Sequence, residues 1–350
     1  MSHTLNAINY LFLGDTEGSQ VELRKAEEYQ VLHRGRHQHK NLNSNKSAIV
    51  SKETHSRSDS KSTDSNEVIL ANKYREVFDY AKETRNSFDN AFTYYLASQV
   101  YLAQGERGID DALVSIKMAY QLNPLVPDIQ TAYIEIARAH SQSAYDKAKK
   151  ELQIGDDKYP TNNVHTTGSV FVCFEAGSVP RLESVKIPFV ISDKLYPIAF
   201  PTYNRFNLVQ EPLIIRTSTD TIKTTTVADI RCLAIKSLQE RMPEIVGRNL
   251  VGAIFKAGIQ HEAQKNGGAF AGLVAGIVSL AATSADCRSW LSLPAEIQIA
   301  KFNLSTGSNT IILQGYDWNE AVTLDIKAGS SNIILVRSLL GFRRIDVKAF

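Results

Sequence analysis

Apolar residues recur three and four positions apart through the first part of this 350-residue chain and at every second position through much of the rest. The first spacing belongs to helices with one buried stripe and the second to half-buried strands. From about Thr4 to Leu32 the pattern predicts a helical hairpin broken at Gly14-Asp15, where glycine frees the backbone and aspartate can cap the next helix. Its second helix carries Ser19, Leu23 and Ala26 on one stripe. Between His33 and Asn66 large apolar residues almost vanish, and a segment that buries so little cannot offset its ordering entropy, which predicts a disordered linker. Helical spacing returns at Val68, with Tyr74, Val77, Phe78 and Ala81 on one face. A second hairpin follows. Its first helix spans Ala91 to Tyr101 behind an Asp89 or Asn90 cap, and its second carries Ala112, Ile116 and Ala119 and stops at Asn123-Pro124. Two further helices are expected at about Pro127 to His140 and Ser143 to Gln153.

Alternation begins at Gly168. Val170, Val172 and Phe174 share one face of a strand, Val185, Ile187 and Phe189 another, and Ile198 to Phe200 and Leu213 to Ile215 follow. Prolines at 180, 188, 197, 201 and 212 predict short or edge-like strands. Thr225 or Thr226 is read as the cap of a helix from Ala228, with Asp229 in its first turn, in two pieces divided at Pro243 and reaching about Gln264. A glycine-rich helix is expected from Gly267 to Ser284, then strands at Glu296 to Phe302, Thr310 to Gln314, Val322 to Ile326 and Ile333 to Val336. The fold class predicted is multidomain: all-α helical repeats followed by an α+β domain with antiparallel, sandwich-like strands and a helical insertion at about 227–285. The divisions are 1–32 (first hairpin, read as truncated at its N-terminal side), 33–66 (linker), 67–160 (helical domain) and 161–350 (α+β domain).

Composition narrows the function classes. A net charge of +2 with 22% charged residues gives no electrostatic footprint for nucleic acid. Cys173, Cys232 and Cys287 are widely spaced, so neither a zinc knuckle nor a full disulfide framework is implied. The first residues lack the basic and apolar regions of a secretory signal, which reads as cytoplasmic if the start at Met1 is genuine.

The small, large and small residues facing one another in the hairpins resemble the tetratricopeptide superfamily, through Asn9-Tyr10-Leu-Phe-Leu-Gly14-Asp15 and Asn90-Ala-Phe-Thr-Tyr94-Tyr95-Leu96. With Gly268-x3-Gly272 and Ala285-Asp286-Cys287-Arg288-Ser289-Trp290 through Pro294-Ala295-Glu296-Ile297, the layout is similar to an uncharacterised group of proteobacterial envelope proteins, often lipoproteins, with tetratricopeptide-like N-terminal halves. That resemblance implies the cell envelope, periplasm or outer membrane, and implies no reaction. The export signal and lipid-attachment cysteine expected of such relatives are missing from this sequence as it stands.

In a tetratricopeptide groove Asn9, Tyr95, Gln99 and Leu102 would be the residues touching a protein partner or peptide segment, with packing of Tyr95 on the helix from Val68 to Ala81 as the alternative. Gly268, Gly272 and Gly276 recur every fourth residue and suit close helix packing, with membrane insertion or oligomerisation through that face as the alternative. Asp286, Arg288 and Trp290 alternate along an extended segment, read as an internal ion pair stacked on indole that locks helix to strand. Histidines 33, 37, 39 and 55 sit without clustered cysteine or carboxylate, so no metal site and no cofactor are expected. No nucleophile elbow, H-E-x-x-H pair, Walker loop or dinucleotide fingerprint is present. The function expected is therefore a non-catalytic interaction or scaffold protein of an envelope assembly, rather than a membrane-inserting component or a hydrolase of envelope polymers.

Overall fold

The computed structural model describes residues 1–51, 60–154, 166–191, 194–265, 285–339 and 341–350. Helix α1 (Ser2–Leu13) ends at Gly14, whose φ of 82° lies in the left-handed region, and Asp15 accepts the Gly18 N–H at 2.8 Å to start α2 (Thr16–Ser51). Helix α3 (Ser60–Tyr80) is followed by α4 (Ala91–Leu102), α5 (Ile109–Leu122), α6 (Pro127–His140) and α7 (Gln142–Leu152). Strands β1 (Thr167–Ala176), β2 (Leu182–Ile191), β3 (Lys194–Tyr203), β4 (Ile214–Arg216), β5 (Thr221–Lys223) and β6 (Thr225–Asp229) lead to α8 (Ile230–Lys265). Strands β7 (Glu296–Ser305), β8 (Gly307–Gln314), β9 (Asn319–Ile326), β10 (Ser331–Leu339) and β11 (Phe342–Ala349) complete the chain.

The centre is a five-stranded sheet in the order β11-β10-β1-β7-β6. Both faces of β1 are buried, and alternation sends its residues into two cores. Phe171 and Cys173 join Ile297, Ile299, Ile333 and Leu335 beneath a layer built from α1, α2, α4, α5 and α6. Val170, Val172 and Phe174 face the opposite way and pack on Leu213, Ile311, Leu313 and Leu324 of a second sheet, ordered β5-β4-β8-β9. Helices, sheet and sheet thus form three layers. A third core joins Tyr74 and Val77 of α3, the β2–β3 hairpin, and Ile235, Leu238, Met242 and Ile245 of α8.

This arrangement corrects the tetratricopeptide repeat fold. The small residues do allow close helix approach, since Ser19, Ser98, Ala112 and Ala119 are fully buried. Every residue from Ala91 to Tyr101 of α4 is buried, however, because the sheet covers the side that a repeat array would leave as a groove. The sheet is also mixed rather than antiparallel, because β1 and β10 run parallel. A core shared by helices and strands crosses the boundary expected at 160/161.

Several local expectations change for physical reasons. Helix α2 continues to Ser51, inside the segment read as linker, because extending a nucleated helix needs only local hydrogen bonds and no buried face. Pro243 lies within a single α8. Strands β2 and β3 are ten residues long despite their prolines, which a two-stranded ribbon tolerates because each strand has a free edge; Pro188 and Pro197 sit opposite each other. Thr225 and Thr226 belong to β6, and Asp229 itself caps α8 by accepting the Cys232 N–H at 3.1 Å. Strands β5, β6 and β11 were not anticipated.

Helix α6 is fastened to the sheet where β6 stops short. Its last partner on β7 is Ile299, so the Lys301 N–H is left for Asp128, at 2.9 Å, while Lys301 Nζ donates to Glu135 at 2.8 Å. Burial raises the Asp128 pKa to about 6.

Candidate functional site

The turn from β6 into α8 places Arg231 under a loop that carries exposed apolar residues. Arg231 is buried and donates to Asp229 through Nε at 3.1 Å and Nη2 at 2.7 Å. It also donates to Glu296 of β7 and, through Nη1, to the Leu208 carbonyl. The Tyr80 ring lies 5.6 Å from the guanidinium carbon, and Thr226 donates to Glu296 at 2.8 Å. Desolvation pulls the Arg231 pKa down, yet the hydrogen bond and charge of Asp229 and the charge of Glu296 outweigh it and the pKa is raised. A guanidinium bound on all sides positions its neighbours and transfers no proton. The adjacent Cys232 thiol is pushed up to about 12 by burial first and Asp229 second, so it is not a thiolate at neutral pH.

What Arg231 positions is the loop after Phe206. Leu208 and Val209 are 60% and 83% exposed, and Trp290 and Leu291 on the loop before β7 are 50% and 40% exposed. Both loops lean on the turn at Gly177-Ser178. A Cβ on Gly177 would lie 2.3 Å from the Gln210 side chain, and Ser178 donates to the Leu291 carbonyl at 3.0 Å. Trp290 Nε1 donates to Ser292 at 2.5 Å, which fixes the indole. Four large apolar side chains are therefore held in water on anchored backbone, a costly arrangement for a surface that meets only solvent.

The structure scatters the residues singled out by sequence. Asn9 is exposed on α1, Leu102 is half-buried against the helical core, and Gln99 is buried and donates to Ser98 at 3.1 Å. Tyr95 is 0% exposed and meets Phe171 of β1, so it lines no groove and does not pack on α3. Asp286 and Arg288 do pair, at 2.8 and 2.9 Å, but on the surface, with Trp290 turned to Ser292, so the internal ion pair stacked on indole is corrected to an exposed one. Gly268, Gly272 and Gly276 lie outside the described residues. Sequence reasoning missed Arg231 and the Leu208-Val209 pair. The available signal was an apolar pair flanked by Asn207 and Gln210 in a loop, where no periodic pattern requires it.

No protein-family model, curated protein or solved structure matches the chain. Among the described residues no helix is long and apolar enough to cross a membrane.

Proposed function

We propose that this chain is a non-catalytic interaction protein that docks a protein partner on the face formed by Leu208, Val209, Trp290 and Leu291. The observation that carries this reading is the anchoring of that face. Arg231 holds the Leu208 carbonyl and Ser178 holds the Leu291 carbonyl, so little loop entropy is lost when a partner settles there. Aromatic and aliphatic anchors presented on fixed backbone are what dominate protein interfaces. The resemblance to envelope proteins supports placing this partner in a cell-envelope assembly.

The test compares the full chain with the double variant Val209→Glu, Trp290→Ala in cross-linking and co-purification from source cells. Both positions are exposed, so the unfolding midpoint is expected to move by less than about 0.5 kcal/mol. A partner recovered with the native chain and lost from the variant supports the reading. Identical recovery from both overturns it.

A further inference from the structure

A cavity of about 520 Å³ opens on the other side of the β6–α8 turn, between the first turn of α1, the middle of α2, the loop from Ser87 to Asn90 and the first two turns of α8. Tyr29, Phe88, Ile230, Leu233 and Leu293 give it apolar walls. Its size suits a small organic molecule.

The two side-chain amides facing it, Gln30 and Asn90, present donors, and the hydrogen bonds around them show why. Gln30 and Asn90 are both more than nine-tenths buried. Gln30 Oε1 accepts the Asn90 N–H at 2.8 Å, and Asn90 Oδ1 accepts the Phe92 N–H at 3.0 Å as the cap of α4. Each amide oxygen being committed, each NH₂ must turn the other way. Among the described residues Gln30 Nε2 has no acceptor, and Asn90 Nδ2 has only the Met1 sulfur at 3.9 Å. Both donors belong to side chains more than nine-tenths buried yet neither is sealed from the cavity, so each offers an N–H to whatever acceptor enters it.

The surroundings favour an anionic acceptor. His3 donates from Nδ1 to Glu22 at 2.7 Å, and that bond, followed by Lys25, holds the Glu22 carboxyl down to about 2, leaving the Nε2 side of the ring free of this pair. The ring is stacked on Tyr29, with centroids 5.2 Å apart. His33 also lines the cavity, no lining residue carries a carboxylate, and the N-terminal ends of α1 and α4 both adjoin it.

We propose that this cavity binds a small carboxylic acid with an aromatic or aliphatic body, its carboxylate accepting from Gln30 Nε2 and Asn90 Nδ2 and its body lying against Tyr29, Phe88 and Leu233. The site shares no lining residue with the docking face.

Calorimetric titration of the full chain with 2-naphthoate, and with 2-naphthylmethanol as its neutral counterpart, tests this. The acid binds saturably and about tenfold more tightly than the alcohol. Gln30→Glu keeps an oxygen for the Asn90 N–H but replaces the free donor with a negative charge. It weakens the acid at least about tenfold and changes the alcohol less than about twofold. Ser237→Trp, at a half-buried position lining the cavity, fills the space and blocks both probes, which keeps the test decisive if Gln30→Glu fails to fold. No saturable binding of the acid, equal affinity for acid and alcohol, or full binding by Ser237→Trp overturns the proposal.

Discussion

The ring of Tyr95 lies on Phe171 with centroids 5.4 Å apart, seating the middle of α4 on the central strand of the mixed sheet. The Tyr95 hydroxyl is buried without a hydrogen-bond partner among the described residues, and its pKa is raised well above the ordinary value, by burial first. Removing that hydroxyl therefore removes a desolvated group and no bond. Tyr95→Phe is expected to hold stability constant or raise it by up to about 1 kcal/mol, whereas Tyr95→Ala loses about 3–5 kcal/mol through the cavity it leaves. Urea unfolding separates the outcomes, and a clear loss in the phenylalanine variant would mean that the hydroxyl is bonded.

Arg231 joins α8, β7 and the Leu208 loop, and replacing it leaves the cross-strand neighbours Asp229 and Glu296, the latter buried, without their shared cation. Arg231→Met is expected to cost about 3–5 kcal/mol, with a smaller loss for Glu296→Gln, which keeps acceptor capacity for Thr226. Proteolysis should cut first near Leu208 in the methionine variant. Native-like stability with an uncut loop would remove the positioning role.

Glu27 of α2 accepts from Ser115 of α5 at 2.6 Å and from Tyr101 of α4 at 3.2 Å. Burial dominates these bonds and raises its pKa from the ordinary 4.5 to about 7. The folded state then holds a proton that the unfolded chain releases, so the stability present below pH 4.5 is lost as pH rises toward 7. Asp128 acts in the same direction at lower pH. Glu27→Gln should therefore be more stable than the native chain at pH 7.5, by about 1–3 kcal/mol, and little different at pH 4.5. Thermal melts of both proteins at the two pH values measure the difference, and a constant gap would show that Glu27 does not titrate in this range.

Gly108 starts α5 at its closest approach to α4. A Cβ there would stand 2.1 Å from the Tyr101 carbonyl oxygen, which is backbone and cannot swing aside. Gly108→Ala is expected to destabilise by about 1–3 kcal/mol, while Gly35→Ala, where a Cβ meets nothing within 4 Å, is neutral or slightly stabilising. Chemical unfolding of the pair checks the contrast.

The sequence by itself determined the local elements whose signals are local. The Gly14 stop, the Asp15 cap, a cap for α4 at Asp89 or Asn90 and the alternation at Val170, Val172 and Phe174 are readable because a cap or a pleat involves residues two to four apart; the structure chose Asn90. Helix α2 beyond His33 escaped because low apolar content reports the absence of a buried face, not the absence of a helix. Strand β11 escaped because it is an edge with charged Arg343, Arg344 and Lys348, which hide the period that Ile345 and Val347 keep.

Only the tertiary structure decided what covers each stripe. A helix such as α4, apolar on most of its surface, suits either a nested array or a sheet, and Phe171, some 75 residues further along, settles which by taking the face of Tyr95. The same holds for function. Tyr95 and Gln99 read as a docking stripe until the sheet buries them, while the exposed Leu208 and Trp290 lie on loops held by Arg231, through the Leu208 carbonyl, and by Ser178, through the Leu291 carbonyl. Periodicity specifies that a face must be covered or exposed, and the long-range contacts that choose its neighbour leave no trace in spacing.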